Sequence, residues 1–147
     1  MVGRSRTRAA DRSEAEKYRV IGDGLLESAA ALADLTGEGD RYGNAVGILA
    51  IHASIAWADA LAIAYGARKS TEGDHVLAAD LLSELLGPAR DDAKIKMLRG
   101  VLSTKDKVSY TGTHYTAQDA EQLLKRSTNF VEWARRVYEK RPPARPR

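Results

Sequence analysis

The stretch from Ala45 to Tyr65 is apolar almost without interruption, and its length, close to the ~20 residues that span a bilayer, leaves two architectures open. It is either a membrane span or the central helix of an all-α bundle, covered by neighbours on several sides. Two features favour the bundle. Much of the stretch is alanine, and His52 and Asp59 fall near its middle, where an ionised aspartate costs roughly 2.5–3.5 kcal/mol on insertion. The reading is therefore a central helix, with no membrane segment.

The flanking sequence supplies the partners such a helix needs. A first helix is expected to start near Asp11 or Ser13, either a suitable N-cap, and to run to about Leu35 with Tyr18, Ile21, Leu25, Ala29 and Leu32 on one stripe. The run from Thr36 to Asp40 ends it. The second helix covers about Tyr42 to Tyr65, closed by Gly66. A third follows Asp74, turns Leu77, Ala78, Leu81, Leu82 and Leu85 inward, and stops at Gly87-Pro88. A fourth, about Ala89 to Ser103, offers Ile95, Leu98, Val101 and Leu102 as its inner face. After a polar loop from Thr104 to Tyr115, Thr116 and Asp119 form a capping-box-like start to the last helix, whose stripe includes Ala120, Leu123, Leu124, Ser127, Phe130, Val131, Ala134 and Val137. The fold class is all-α: an up-and-down bundle of about five helices, three long (about 35 Å each) and two short.

A chain of 147 residues fits one such domain. The bundle is assigned residues 13–139, between a flexible basic arm (1–12) and a basic, proline-rich tail (140–147) containing Pro142, Pro143 and Pro146. Residues 1–12 carry a net +3 and residues 135–147 a net +5; with +3 for the whole chain, the part between is at −5. Arg4, Arg6, Arg8, Arg145 and Arg147 in these arms could neutralise nucleic-acid phosphates without reading sequence. The absence of cysteine removes disulfides, thiolate zinc sites and cysteine nucleophiles, and favours a cytoplasmic, reducing setting. The polar N-terminus has no apolar segment of the signal-peptide kind. Glycine-rich phosphate loops, paired-histidine zinc motifs and serine elbows are missing, and no metal or cofactor is called for.

Three constellations could carry chemistry. His52 and Asp59, seven residues apart, share a helix face about 10 Å from each other along the axis, either as a polar pocket or as groups satisfied by neighbouring helices. Arg68 and His75 flank the turn after the second helix: a guanidinium that grips phosphate beside an imidazole that moves protons near neutral pH is a pair suited to metal-independent RNA cleavage. Glu72 and Asp74, within the same turn, bring negative charge to it. The loop residues Lys105, Lys107, Tyr110, His114 and Tyr115 mix cations with rings, a combination that holds phosphates and stacks bases. Trp57 and Trp133 read as core or interface packing.

Three short runs carry a family resemblance: Tyr42-Gly43-Asn44-Ala45-Val46 leading into the alanine-rich helix, His75 with Leu81-Leu82, and Lys107 to Tyr110 followed by Thr116-Ala117-Gln118-Asp119-Ala120. Over about Tyr18 to Val137 the chain resembles the HEPN superfamily, helical-bundle domains associated with nucleotide or RNA transactions. Nuclease members of that superfamily carry an arginine and a histidine with four to six residues between them, usually in a site completed by dimerisation, and six residues lie between Arg68 and His75. The resemblance thus implies a homodimer that binds a nucleotide, RNA or a partner protein such as a nucleotidyltransferase, with Arg68, His75 and the Lys105 to Tyr115 loop lining one site. Two other readings stand beside it: a metal-independent endoribonuclease of toxin or defence type using Arg68 and His75, and a non-catalytic interaction module.

Overall fold

The apolar run becomes α2 (Gly43–Gly66), the axis of the molecule. Nearly every side chain from Ala53 to Ala64 is buried, and the largest, Trp57, is enclosed. By length and composition α2 could cross a membrane, but most of its apolar window is covered here by other helices. The computed structural model describes residues 7–36, 40–71, 76–109 and 112–143. Among them, α1 (Ala15–Thr36), α3 (Val76–Leu86), α4 (Asp92–Ser103) and α6 (Ala117–Glu139) all pack on α2.

The expected all-α bundle is what forms. The Tyr65 hydroxyl donates to the Val137 carbonyl at 2.6 Å at one end of α2, and the Asp40 carboxylate accepts from the Ala117 N–H at 2.8 Å at the other, so α2 and α6 run parallel. α1 and α4 run against them, giving an up-down-up-down order, with the shorter α3 packed against α2 and α4. Start signals act as expected for α6: the Thr116 side chain accepts from the Asp119 N–H, and the Asp119 side chain accepts from the Thr116 N–H. Asp91 caps α4, so that helix begins at Asp92, later than the expected Ala89; Gly87–Ala89 form a 3-10 turn instead.

Three further details differ from expectation. Ile21 is half-exposed, and the inner stripe of α1 runs through Ala15, Gly22, Leu26 and Ala29. The indole of Trp57 decides this, because a Cβ on Gly22 would come within 2.6 Å of its Cδ1 atom. At the end of α2 the left-handed stop is Ala67 (φ 53°), while Gly66 is still helical and its missing side chain makes room for Leu85. The polar loop also contains a further five-residue helix, α5 (Lys105–Ser109), whose Val108 is buried.

Part of the segment assigned to the N-terminal arm is built into the fold. Of residues 1–12, residues 1–6 lie outside the described part, but Thr7–Ala9 form a strand, β1, and Arg12–Glu14 a 3-10 turn capped by Asp11. β1 pairs antiparallel with β2 (Arg68–Ser70) in the register Thr7 with Ser70, Arg8 with Lys69 and Ala9 with Arg68. A short backbone ribbon thus anchors the start of the chain to the turn after α2.

Candidate functional site

At one end of the bundle, α1 and α6 are clamped together. The Arg135 guanidinium donates to the Asp23 carboxylate at 2.8 Å, the Trp57 indole N–H donates to the same oxygen at 3.0 Å, and the Tyr138 hydroxyl donates to Glu16 at 2.9 Å. The Arg19 guanidinium and the Tyr138 hydroxyl hold the Glu16 carboxyl down to about 2. No such bridge joins α1 and α6 at the opposite end among the described residues, and the two helices stand apart there.

That opposite end is built by short polar clips. The Asn44 amide donates to the carbonyls of Val108 and Thr113 at 2.8 and 3.0 Å, and its oxygen accepts from the Tyr115 N–H at 2.9 Å. Gly43 lies against the Tyr115 carbonyl with no space for a side chain. These contacts fix where α6 begins relative to α2, and so hold open the trough between α6 and the last turns of α1.

The trough is a groove of about 770 Å³. Its apolar surface comes from Ala30 and Ala33 of α1, Val46 of α2 and Ala120 and Leu124 of α6. Along α6 it extends from Ala117 to Glu132, about 22 Å at 1.5 Å per residue. Its rim is acidic: Asp34 on the α1 wall and Glu121 and Glu132 on the α6 wall, against Lys125. Leu35, one residue beyond Asp34, is 82 % exposed, and Tyr42 is partly exposed at the start of α2. The volume falls within the roughly 300–1,000 Å³ range of ligand pockets, in the elongated shape of a trough.

The residues singled out from sequence are distributed differently. Arg68 is half-buried in β2 and its guanidinium donates to the Thr7 hydroxyl. His75, Tyr110, Arg4, Arg6, Arg145 and Arg147 lie outside the described residues. Lys105 and Lys107 lie on α5, with Lys107 exposed. His114 is exposed, its Nε2 atom 3.8 Å from the Asp40 carboxylate. Tyr115 belongs to the core at 8 % exposure, and burial pushes its phenol pKa up. Arg68 and the Lys105 to Tyr115 loop do not share a site: Asn44, which holds the loop, and Gly66, two residues before Arg68, are separated by about 33 Å of helix.

What the structure does bring together is Arg8 with the turn after α2. The Arg8 guanidinium donates to the Tyr18 hydroxyl at 3.2 Å, and the Lys69 ammonium sits 5.2 Å above the Tyr18 ring and 3.7 Å from the Asp59 carboxylate. Asp59 is 6 % exposed, and burial pushes its pKa up to about 6 although Lys69, Ser70 and Arg8 pull it down. His52 does not join it. It is exposed, and its pKa is lowered by partial desolvation and by the nearby Lys105 ammonium. Of the two readings for His52 and Asp59, Asp59 fits the satisfied polar group and His52 lies outside it.

Sequence reading missed the groove, whose only written trace is a second outward row on α6, Glu121, Leu124, Lys125, Thr128 and Glu132, at helical spacing. Among the described residues no group of three or more acidic or histidine side chains is placed to hold a metal ion. No family model, curated protein or solved structure matches the chain.

Proposed function

We propose that this chain is a HEPN-like binding module that acts without catalysis, and that its ligand is a segment of a partner protein held in the α1–α2–α6 groove. The observation that carries this reading is the groove itself: a trough about 22 Å long with an apolar patch of Ala30, Ala33, Val46, Ala120 and Leu124, open to solvent, beside the exposed Leu35. A partner helix laid in such a trough buries its apolar face there, and each fully buried leucine-sized side chain contributes roughly 1.5–3 kcal/mol.

Charge argues against a nucleotide or RNA in this place. The rim carries three carboxylates against one ammonium, which repels phosphate. Of the described cations, Arg8, Arg68 and Lys69 lie at the other end of α2 and are engaged by Tyr18, Thr7 and Asp59.

The test compares wild type with Ala30→Trp, an exposed position where a large ring fills the groove without disturbing the core. Fluorescence anisotropy would follow a labelled amphipathic helical peptide and, separately, a mixed single-stranded RNA in EDTA. The expected result is peptide binding weakened at least about tenfold by Ala30→Trp, with the RNA left intact. RNA cleavage by the wild type, or peptide binding indifferent to Ala30→Trp, would overturn the reading.

A further inference from the structure

We infer that the segment held in the groove is a basic amphipathic helix, with lysine or arginine flanking its apolar face; this rests on the groove being a protein-binding site.

Register supplies the first argument. Glu121 and Glu132 are eleven residues apart on α6, about 16 Å along the axis and only about 20° apart around it. A partner helix lying alongside has the same rise and the same turn, so two of its own residues eleven apart face both carboxylates at once. Between them, its positions at the fourth and seventh residue fall on the same stripe, at the level of Leu124, Lys125 and Thr128. An extended strand or a compact small molecule has no such match of period to period.

Charge supplies the second. Asp34 and Glu132, on opposite walls, make no hydrogen bond or ion pair among the described residues, and Lys125 is drawn 4.0 Å from Glu121. The groove therefore offers two uncommitted carboxylates on a rim already short of positive charge, and a cationic helix gains from both. A second copy docked groove to groove would bring another acidic rim to the first.

The experiment uses three labelled peptides of about 18 residues with one shared apolar face and lysine, glutamine or glutamate at the flanking positions, measured by anisotropy at roughly 0.05 and 0.5 M salt. The full chain is compared with an Asp34→Lys/Glu132→Lys double variant, both positions being exposed. The lysine peptide is expected to bind about tenfold more tightly than the glutamine peptide, as two ion pairs at an apolar boundary supply. The advantage should shrink at high salt, and the double variant should prefer the glutamate peptide. Equal binding of lysine and glutamine peptides would sink the charge inference while leaving the groove a protein-binding site. Failure of all three peptides, with the wild type monomeric on size exclusion, would remove both. A dimer that Ala30→Trp dissociates would assign the groove to a second copy and overturn the basic-helix inference.

Discussion

Asp59 offers a quantitative check on how the ribbon is joined to the bundle. Its carboxylate lies in the buried second half of α2, with the Lys69 ammonium 3.7 Å away and the Ser70 hydroxyl 3.5 Å away. Desolvation outweighs these partners and Arg8, so the carboxyl moves from its ordinary 3.8 up to about 6. Below pH 3.8 it is neutral in the folded and the unfolded chain; above 6 it is ionised in both. Between these limits the folded chain keeps a proton that the unfolded chain has released. Stability therefore falls as pH rises from about 3.8 to about 6, by about 3 kcal/mol. Glu16, held down to about 2, works in the opposite direction, losing its stabilising contribution as pH falls through the acid range.

The difference between wild type and Asp59→Asn separates the two, because Glu16 titrates alike in both proteins while the amide that replaces the Asp59 carboxyl does not titrate. Removing the partner of Lys69 adds an offset of its own, so the trend of the difference with pH is the reading, not its size at any one pH. Thermal unfolding followed by far-ultraviolet circular dichroism should then show the Asp59→Asn variant gaining on wild type by roughly 10 °C from about pH 4 to about 7, the shift that about 3 kcal/mol produces in a chain of this size. A melting-temperature difference constant with pH, or one that moves in favour of wild type as pH rises, would refute the reasoning and make Lys69 the stronger influence on this carboxyl.

Other substitutions probe the local structure by urea denaturation. Asn44→Ala removes three hydrogen bonds that clip the loop to α2 and should cost about 2–3 kcal/mol. Ala67→Gly relieves the left-handed backbone at φ 53° and should add about 0.5–1 kcal/mol, the left-handed cost of alanine less the entropy glycine adds to the unfolded chain. Ser127→Ala should add about 1 kcal/mol, because the Ser127 hydroxyl is buried in α6 with no hydrogen-bond partner among the described residues. A loss of stability in either of the last two would contradict the assigned cause.

The helical frame was legible because it is written in local patterns. Alanine and apolar residues all round α2, the Thr116 capping box and the inner row Ile95, Leu98, Val101 and Leu102 each act within one element. What was not legible depends on contacts between distant residues. The ribbon pairs Thr7 with Ser70 across most of the first half of the chain, and its strands are too short to show alternation. Gly22 takes the inner face in place of Ile21 because Trp57 fits against it, which the period of α1 alone does not contain. Asp59 was visible as a polar residue in an apolar helix, but its partner Lys69 lies ten residues on, past the end of that helix, and no local pattern joins the two. The groove is a space between helices, fixed by the Asp23–Arg135 and Glu16–Tyr138 clamps at one end and the Asn44 clips at the other.

The most direct test of the binding account is to map the lysine-flanked peptide onto the protein by backbone amide chemical shifts. The account predicts shifts concentrated at Ala30, Ala33, Val46, Leu124, Thr128 and Glu132, lost in Ala30→Trp. Shifts centred instead on Arg8, Arg68 and Lys69, at the far end of α2, would contradict it.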